Sequence, residues 1–326
     1  MKTNKIKKKP ILVVGAGSIG ERYIRILSKK GFKNIIVLRR EIKEFRNIDN
    51  AKVEVLTNFE EAIKLKPFAA IVCTPTSNHL EECLKLTKNK IHVLVEKPIS
   101  HNINGFDELS LELNKNKSYL QVGYMLRFHP LIQNLKEIIE SKIYGNLVCT
   151  RSVWAEYLPN WHPWENYKES YAAKKELGGG VSLTLSHDID LTLYLVNSKI
   201  KTSHILNNYS SNLGINVETA SDILIEYENG VTSNIHLNFF ELKSERFYKL
   251  IFDKATVIFN YNKNTIDIFK KNDSEKIILD NFHRDLMFEK QIDNFIEKAF
   301  DENVELLSIE NLRISKEIIK ICNNEK

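Results

Sequence analysis

A chain of 326 residues is long enough for two domains, and an apolar share of 43% is that of an ordinary soluble globular protein. The net charge of +5 belongs to one end, because Lys2, Lys5, Lys7, Lys8 and Lys9 carry it and the remaining 42 basic residues balance 42 acidic ones. That tail holds no aromatic residue and predicts a solvated terminus, not a nucleic-acid surface; no segment has the apolar length of a membrane span, and the short run at Ile11 leads into glycine instead of a cleavage site, against a signal peptide. Cys73, Cys83, Cys149 and Cys322 lack paired or metal-binding spacing, so reduced thiols in a cytoplasmic protein without a metal centre are expected.

The first element, Ile11–Val14, is apolar without alternation and reads as a strand buried on both faces. Gly15-Ala16-Gly17-Ser18-Ile19-Gly20 follows at the spacing of a dinucleotide-binding turn. Gly15 permits the tight turn, Gly17 lets backbone approach a pyrophosphate, and Gly20 lets the next helix pack on the strand. That helix, Glu21–Lys30, and a second apolar run, Ile35–Leu38, complete a β-α-β unit. Arg39, Arg40 and Glu41 then occupy the position that meets the adenosine ribose. Two arginines there favour the 2′-phosphate of NADP, whereas Glu41 on a ribose hydroxyl would make the partner NAD.

A third strand over Ala51–Thr57, a helix over Phe59–Leu65 and a buried strand over Ala69–Cys73 lead to Thr74-Pro75-Thr76-Ser77-Asn78-His79, small polar residues where open α/β sheets bind ligands. Pro75 delays the next helix, expected over Leu80–Thr87. The strand Ile91–Val95 ends in Glu96-Lys97-Pro98, which projects Lys97 into the cofactor crevice from a rigid turn. Ser118–Tyr124 is the last strand of a first domain, 1–126, and leads into Met125-Leu126-Arg127-Phe128-His129-Pro130.

In the second domain, 127–326, a helix Leu131–Ile143 and a strand Leu147–Val153 precede Trp154, Trp161 and Trp164, interleaved with Tyr157, Pro159, His162 and Pro163 and followed by Tyr167 and Tyr171. Aromatic faces suit sugar C–H groups and their polar handles suit hydroxyls, so His162 and Tyr171 are the ligand candidates and Trp154 the core candidate. Gly178-Gly179-Gly180 gives a close-approach backbone before Val181–Asp190, and a helix follows over Ile189–Val196. Asp222–Tyr227 and Val231–Phe239, joined by Glu228-Asn229-Gly230, form a hairpin, and Arg246–Asp253, Thr256–Tyr261 and Thr265–Phe269 extend a mostly antiparallel sheet. One apolar face of it, left uncovered by local helices, predicts a homo-oligomer, a dimer or tetramer. The helices Leu286–Phe300 and Ile309–Cys322 read as packing.

The glycine turn, Thr74-Pro75-Thr76-x-x-His79, Glu96-Lys97-Pro98, Arg127-Phe128-His129-Pro130 and Gly178-Gly179-Gly180…His187-Asp188-Ile189-Asp190 occur in this order, and the set resembles the Gfo/Idh/MocA family of NAD(P)-dependent sugar and cyclitol oxidoreductases over essentially the whole chain. The resemblance implies a Rossmann domain with a doubly wound parallel sheet, followed by an α+β domain with an open, mostly antiparallel sheet. It implies a catalytic lysine at Lys97, an acid or base at His187, and cofactor contacts from the glycine turn, Thr74–Thr76, His79, Glu96 and Arg127. Tyr157…Tyr167…Tyr171…Glu176-Leu177-Gly178 resembles a branch associated with bacterial surface sugars, including nonulosonic acids. Two positions depart from the pattern. Many members carry Asp four residues before the histidine, where this chain has Leu183, and surface-sugar relatives often have an acid three before it, where it has Thr184, a candidate substrate contact. Asp190, one turn on, either compensates or is structural.

The expected chemistry is hydride transfer between nicotinamide and a secondary alcohol or ketone of a sugar, with His187 suited to proton transfer near neutral pH and Lys97 to the developing alkoxide. The alternatives are a cofactor-binding sensor without turnover and a reductase of a non-sugar carbonyl.

Overall fold

Apolar runs of four residues that cannot hide one face from water become strands covered on both. In the computed structural model, which describes residues 6–46, 48, 53–161, 165–209 and 212–325, Ile11–Val14 (β1) and Ala69–Val72 (β4) are buried at every position. With Ile35–Leu38 (β2), Val53–Leu56 (β3), His92–Val95 (β5) and Leu120–Val122 (β6) they form a parallel sheet in the order β3-β2-β1-β4-β5-β6. The order reverses between β1 and β4, and in such sheets ligands bind outside the carboxyl ends of the strands at that point.

Helices Ser18–Lys29 (α1), Phe59–Lys64 (α2), Thr76–Lys88 (α3) and Phe106–Asn116 (α4) connect these strands. Tyr23, Ile24, Ile26 and Leu27 bury one face of α1. α3 starts four residues before the expected Leu80, because Pro75, at φ −59° and ψ 147°, is itself the N-cap and Thr76 the first helical residue. Proline stops a helix behind it, not ahead of it. This first unit comprises the residues up to Gly123 together with Phe288–Lys316.

The second unit comprises Tyr124–Met287 and the residues from Glu317 on, so the chain passes between the units at Gly123 and returns at Phe288. It is built on Leu147–Tyr157 (β7), Ile200–Asn208 (β8), Ala220–Tyr227 (β9), Thr232–Asn238 (β10), Phe240–Phe252 (β11), Ala255–Asn260 (β12), Thr265–Lys270 (β13) and Asp273–Ile278 (β14). Their order is β14-β13-β12-β11-β7-β10-β9-β8, antiparallel except for β7 with β10. Burial alternates along β9 and β12, with Ile223, Ile225, Val257 and Phe259 on the core face and Leu224 exposed on the other. The helices are Pro130–Ser141 (α5), Val181–Thr184 (α6) and His187–Val196 (α7).

Asp285–Lys298 (α8) and Val304–Asn323 (α9) are the last helices. Within the first unit, the residues of α9 close the edge strand β6: the Leu120 amide donates to Ser308 Oγ at 3.0 Å, and Asn311 Nδ2 donates to the Leu120 carbonyl at 2.9 Å. The four cysteines form no disulfide.

Candidate active site

The glycine turn after β1 separates three demands on one motif. Gly15 has φ +87°, and a Cβ there would stand 3.0 Å from the carbonyl of Cys73 at the tip of β4. At Gly20 a Cβ would come within 2.1 Å of the Gly15 carbonyl oxygen, so only hydrogen lets α1 start there. At Gly17 a Cβ would meet nothing within 4 Å. Gly17 is also the N-cap of α1, and no side chain caps it. The amides of Ser18, Ile19 and Gly20 have no intrahelical acceptor by helix geometry, and the dipole favours an anion before them. Open space in front of uncapped amides, at the carboxyl edge of the switch-point sheet, fits a dinucleotide pyrophosphate.

At the tip of β2, Arg39 is held by its own loop: its guanidinium donates to the Lys43 carbonyl at 2.9 Å and lies 5.3 Å from the Phe45 ring. Glu41 pairs with Lys43 at 2.8 Å, which holds its carboxyl below the usual range. Arg40 is exposed. At the tip of β4, the Thr74 hydroxyl donates to Glu82 on α3. His79 is 1% exposed, with its ring nitrogens 2.7 Å from the Thr74 carbonyl and 2.8 Å from the Pro98 carbonyl. Burial lowers its pKa, and a neutral imidazole donates through one nitrogen. His79 therefore sits between the tip of β4 and the turn after β5 and donates to one of the two carbonyls.

In that turn the Lys97–Pro98 peptide is cis. Glu96 faces inward, accepting from Tyr23 Oη at 2.8 Å and packing where a Cβ on Gly123 would stand 3.1 Å from its Oε1. Lys97 is half-buried beside it, and its amide is 3.4 Å from Glu96 Oε2. Thus Gly15, Gly17, Ser18, Ile19, Gly20, Arg39, Arg40, Thr74, Pro75, Thr76, Glu96 and Lys97 gather at the carboxyl ends of β1, β2, β4 and β5. Sequence reasoning missed Glu82. Burial pushes its carboxyl up to about 7, against the Thr74 hydrogen bond and the charges of Lys85 and Arg40. The available signal was an acid three residues after His79, next to Cys83 and Leu86 on the buried face of α3.

In the second unit the residues gather around the start of α7. Gly180 has φ +107°, and a Cβ there would stand 2.3 Å from Glu218 Oε1. That carboxylate accepts from the Ser182 amide at 3.2 Å and its hydroxyl at 2.7 Å, fixing α6; the sequence offered no sign of Glu218. His187 is the first residue of α7 and 6% exposed, with its ring 5.9 Å from Tyr124, edge-on, and 6.1 Å from Trp154. Thr184 is buried at the end of α6.

Both acids beside His187 are held by arginines. Asp188 pairs with Arg246 at 2.5 Å, and that guanidinium lies 3.6 Å from the Trp154 ring. Asp190 takes a two-pronged bond from Arg127 at 2.9 and 2.5 Å. Arg127, expected at the cofactor, donates to Asp190 and has its guanidinium 5.8 Å from the Tyr124 ring and 5.2 Å from the Tyr194 ring. Asp190, expected either to compensate for Leu183 or to be structural, is the acceptor in this pair. Tyr171 is 37% exposed in a short turn, Trp161 packs edge-on against Phe239 at 5.5 Å, and His162 lies outside the described residues. Among the described residues, no group of three or more His, Cys, Asp or Glu could hold a metal ion, and no helix is long and apolar enough to cross a membrane.

Comparison with known proteins agrees with this architecture. Residues 9–124 match the Gfo/Idh/MocA oxidoreductase family, NAD-binding Rossmann fold, and residues 132–258 match the Gfo/Idh/MocA C-terminal domain. The chain is 26% identical over 237 residues to the uncharacterized oxidoreductase YrbE of Bacillus subtilis, covering 68% of this chain and 65% of that protein. It is 25% identical over 233 residues to inositol 2-dehydrogenase of Corynebacterium glutamicum, covering 69% and 66%. The matched region thus spans just under two thirds of the length of these relatives. The solved structure of UDP-N-acetylglucosamine 3-dehydrogenase GnnA from Acidithiobacillus ferrooxidans shares the fold, with a TM-score of 0.76 over 98% of both chains at 16% identity. With both of its characteristic domains matched in order behind the glycine turn, the chain belongs to the Gfo/Idh/MocA oxidoreductase family.

Proposed function

We propose that the protein is an NAD(P)-dependent oxidoreductase acting on a secondary alcohol or ketone of a sugar or sugar derivative. The observation that carries this reading is the glycine turn, where the Cβ position of Gly17 faces open space before the uncapped start of α1. Nicotinamide cofactor held there by the Gly17–Gly20 backbone, with its ribose toward Arg40, would supply the hydride donor or acceptor. Lys97, at the tip of β5, holds positive charge for an alkoxide oxygen, and the inward Glu96 fixes the backbone that carries it. His187 moves the hydroxyl proton at an imidazole nitrogen, its ring set by Tyr124 and Trp154. Arg40 is the residue suited to a 2′-phosphate and extends the reading from NAD to NADP.

The relatives named for inositol and for UDP-N-acetylglucosamine support a polyol or sugar substrate. The tyrosine and glycine pattern from Tyr157 to Gly180 supports a place in surface-sugar synthesis, and the exposed Leu224 and Phe269 on the second sheet support a homo-oligomer. Four unpaired cysteines support a cytoplasmic setting. His187→Ala should lower turnover by about 10²-fold or more while NADH affinity changes less than about threefold, as removal of a proton carrier requires. Equal losses of turnover and affinity would remove His187 from that role.

A further inference from the structure

We propose that Tyr23 is a positioning residue for the turn after β5, its hydroxyl holding the Glu96 carboxylate so that the turn presents Lys97 where hydride transfer requires it. The inference rests on the reading of Lys97 as the group that meets the alkoxide oxygen. Tyr23 stands three residues after Gly20, on the same face of α1, and is fully buried. Phe288 packs edge-on against its ring at 5.5 Å, and its hydroxyl donates to Glu96 Oε1 at 2.8 Å.

A tyrosine that served only the core would have no use for its hydroxyl, whose burial costs free energy unless it is hydrogen-bonded. Here the acceptor is a carboxylate, which makes the bond charge-assisted. Burial and the Glu96 charge raise the phenol well above its ordinary value, so it stays a donor. Glu96 is backed by Gly123, where a Cβ would stand 3.1 Å from its Oε1 and 3.2 Å from its Cα. Its second oxygen, Oε2, is 3.4 Å from the Lys97 amide. The hydroxyl, the carboxylate and that amide thus run from α1, whose first turn faces the pyrophosphate position, to the backbone that carries Lys97. Removing the hydroxyl leaves the carboxylate short of a buried donor, and the turn that it braces loosens. Lys97 is then displaced from the reacting oxygen, where small errors of placement cost turnover.

The test compares the full-length wild type with Tyr23→Phe, Phe288→Leu and Glu96→Gln in NADH binding and in turnover of NAD over a panel of cyclitols, sugars and nucleotide-sugars. Tyr23→Phe keeps the ring and removes only the hydroxyl; it should lower kcat about tenfold while NADH affinity stays within about twofold. Phe288→Leu disturbs the packing of the same ring and leaves the hydrogen bond; it should lower stability in urea unfolding and keep kcat within about twofold. In the double variant the losses of Tyr23→Phe and Glu96→Gln should not add, because both act through one carboxylate. Unchanged kcat in Tyr23→Phe, an equal fall in Phe288→Leu, or additive losses in the double variant overturns the assignment. If Tyr23→Phe does not fold, Glu96→Gln decides: kcat lowered about tenfold at unaltered NADH affinity supports it, and unaltered kcat overturns it. Turnover by the wild type with equal kcat in Tyr23→Phe sinks Tyr23 alone, whereas no turnover by the wild type on any member of the panel sinks the oxidoreductase reading and Tyr23 with it.

Discussion

Gly17 and Gly20 stand three residues apart and have opposite sensitivities. A methyl group on Gly20 collides with the Gly15 carbonyl at 2.1 Å, whereas on Gly17 it meets no protein atom within 4 Å. Gly17 has φ −78°, which any residue adopts. Gly17→Ala should therefore change stability by less than about 1 kcal/mol, measured by urea unfolding, and still weaken NADH binding by about tenfold or more. Unaltered NADH affinity in a folded Gly17→Ala protein would remove the pyrophosphate from this turn. Gly20→Ala should instead destabilise the fold. The turn was legible in the sequence because its glycines act through their own backbone. Glu82 and Glu218 were not, because each acts through a partner that only the fold supplies, Thr74 across a helix turn and loop and Ser182 from 36 positions away.

At the scale of elements, α7 shows how a helix that begins with the candidate proton carrier is held. Its first turn carries Asp188 and Asp190, favourable to the helix dipole but costly in a buried position. Arg246 and Arg127 offset that cost from β11 and from the short turn before α5. Removing one member of a buried pair leaves an uncompensated charge, so Arg246→Met should destabilise the protein by about 3–5 kcal/mol. The double variant Asp188→Asn/Arg246→Met should recover more than half of that in urea unfolding. A loss below about 1 kcal/mol for the single variant would show that the pair does not hold α7. The helix was read from Ile189, two residues late, because a His-Asp start has no apolar period. β8 and β14 were missed for a related reason. Ile205 is the one buried residue of β8 and β14 has none, so neither edge strand carries the alternation by which its neighbours were found.

Across the whole molecule, each unit is organised by a different sheet, and the sequence distinguished them by the period of their apolar residues. The parallel sheet came from unbroken runs, the antiparallel one from alternation. The return of Phe288–Lys316 to the first unit could not be read, because an amphipathic helix reports that one face is covered and not by what. The contacts of Ser308 and Asn311 with β6 are local polar fits invisible to periodicity. The bond between Glu96 and Tyr23 likewise joins residues 73 positions apart, although Glu96-Lys97-Pro98 itself stood out in the sequence.

Hydride transfer to or from a sugar is tested most directly by mixing the purified protein with NAD and with NADP over a panel of cyclitols, sugars, amino sugars and nucleotide-sugars, together with their keto forms and reduced cofactor, and following nicotinamide absorbance. The predicted result is turnover with at least one member of the panel, abolished in Lys97→Met. Tight cofactor binding with no oxidation or reduction of any member in either direction would contradict it.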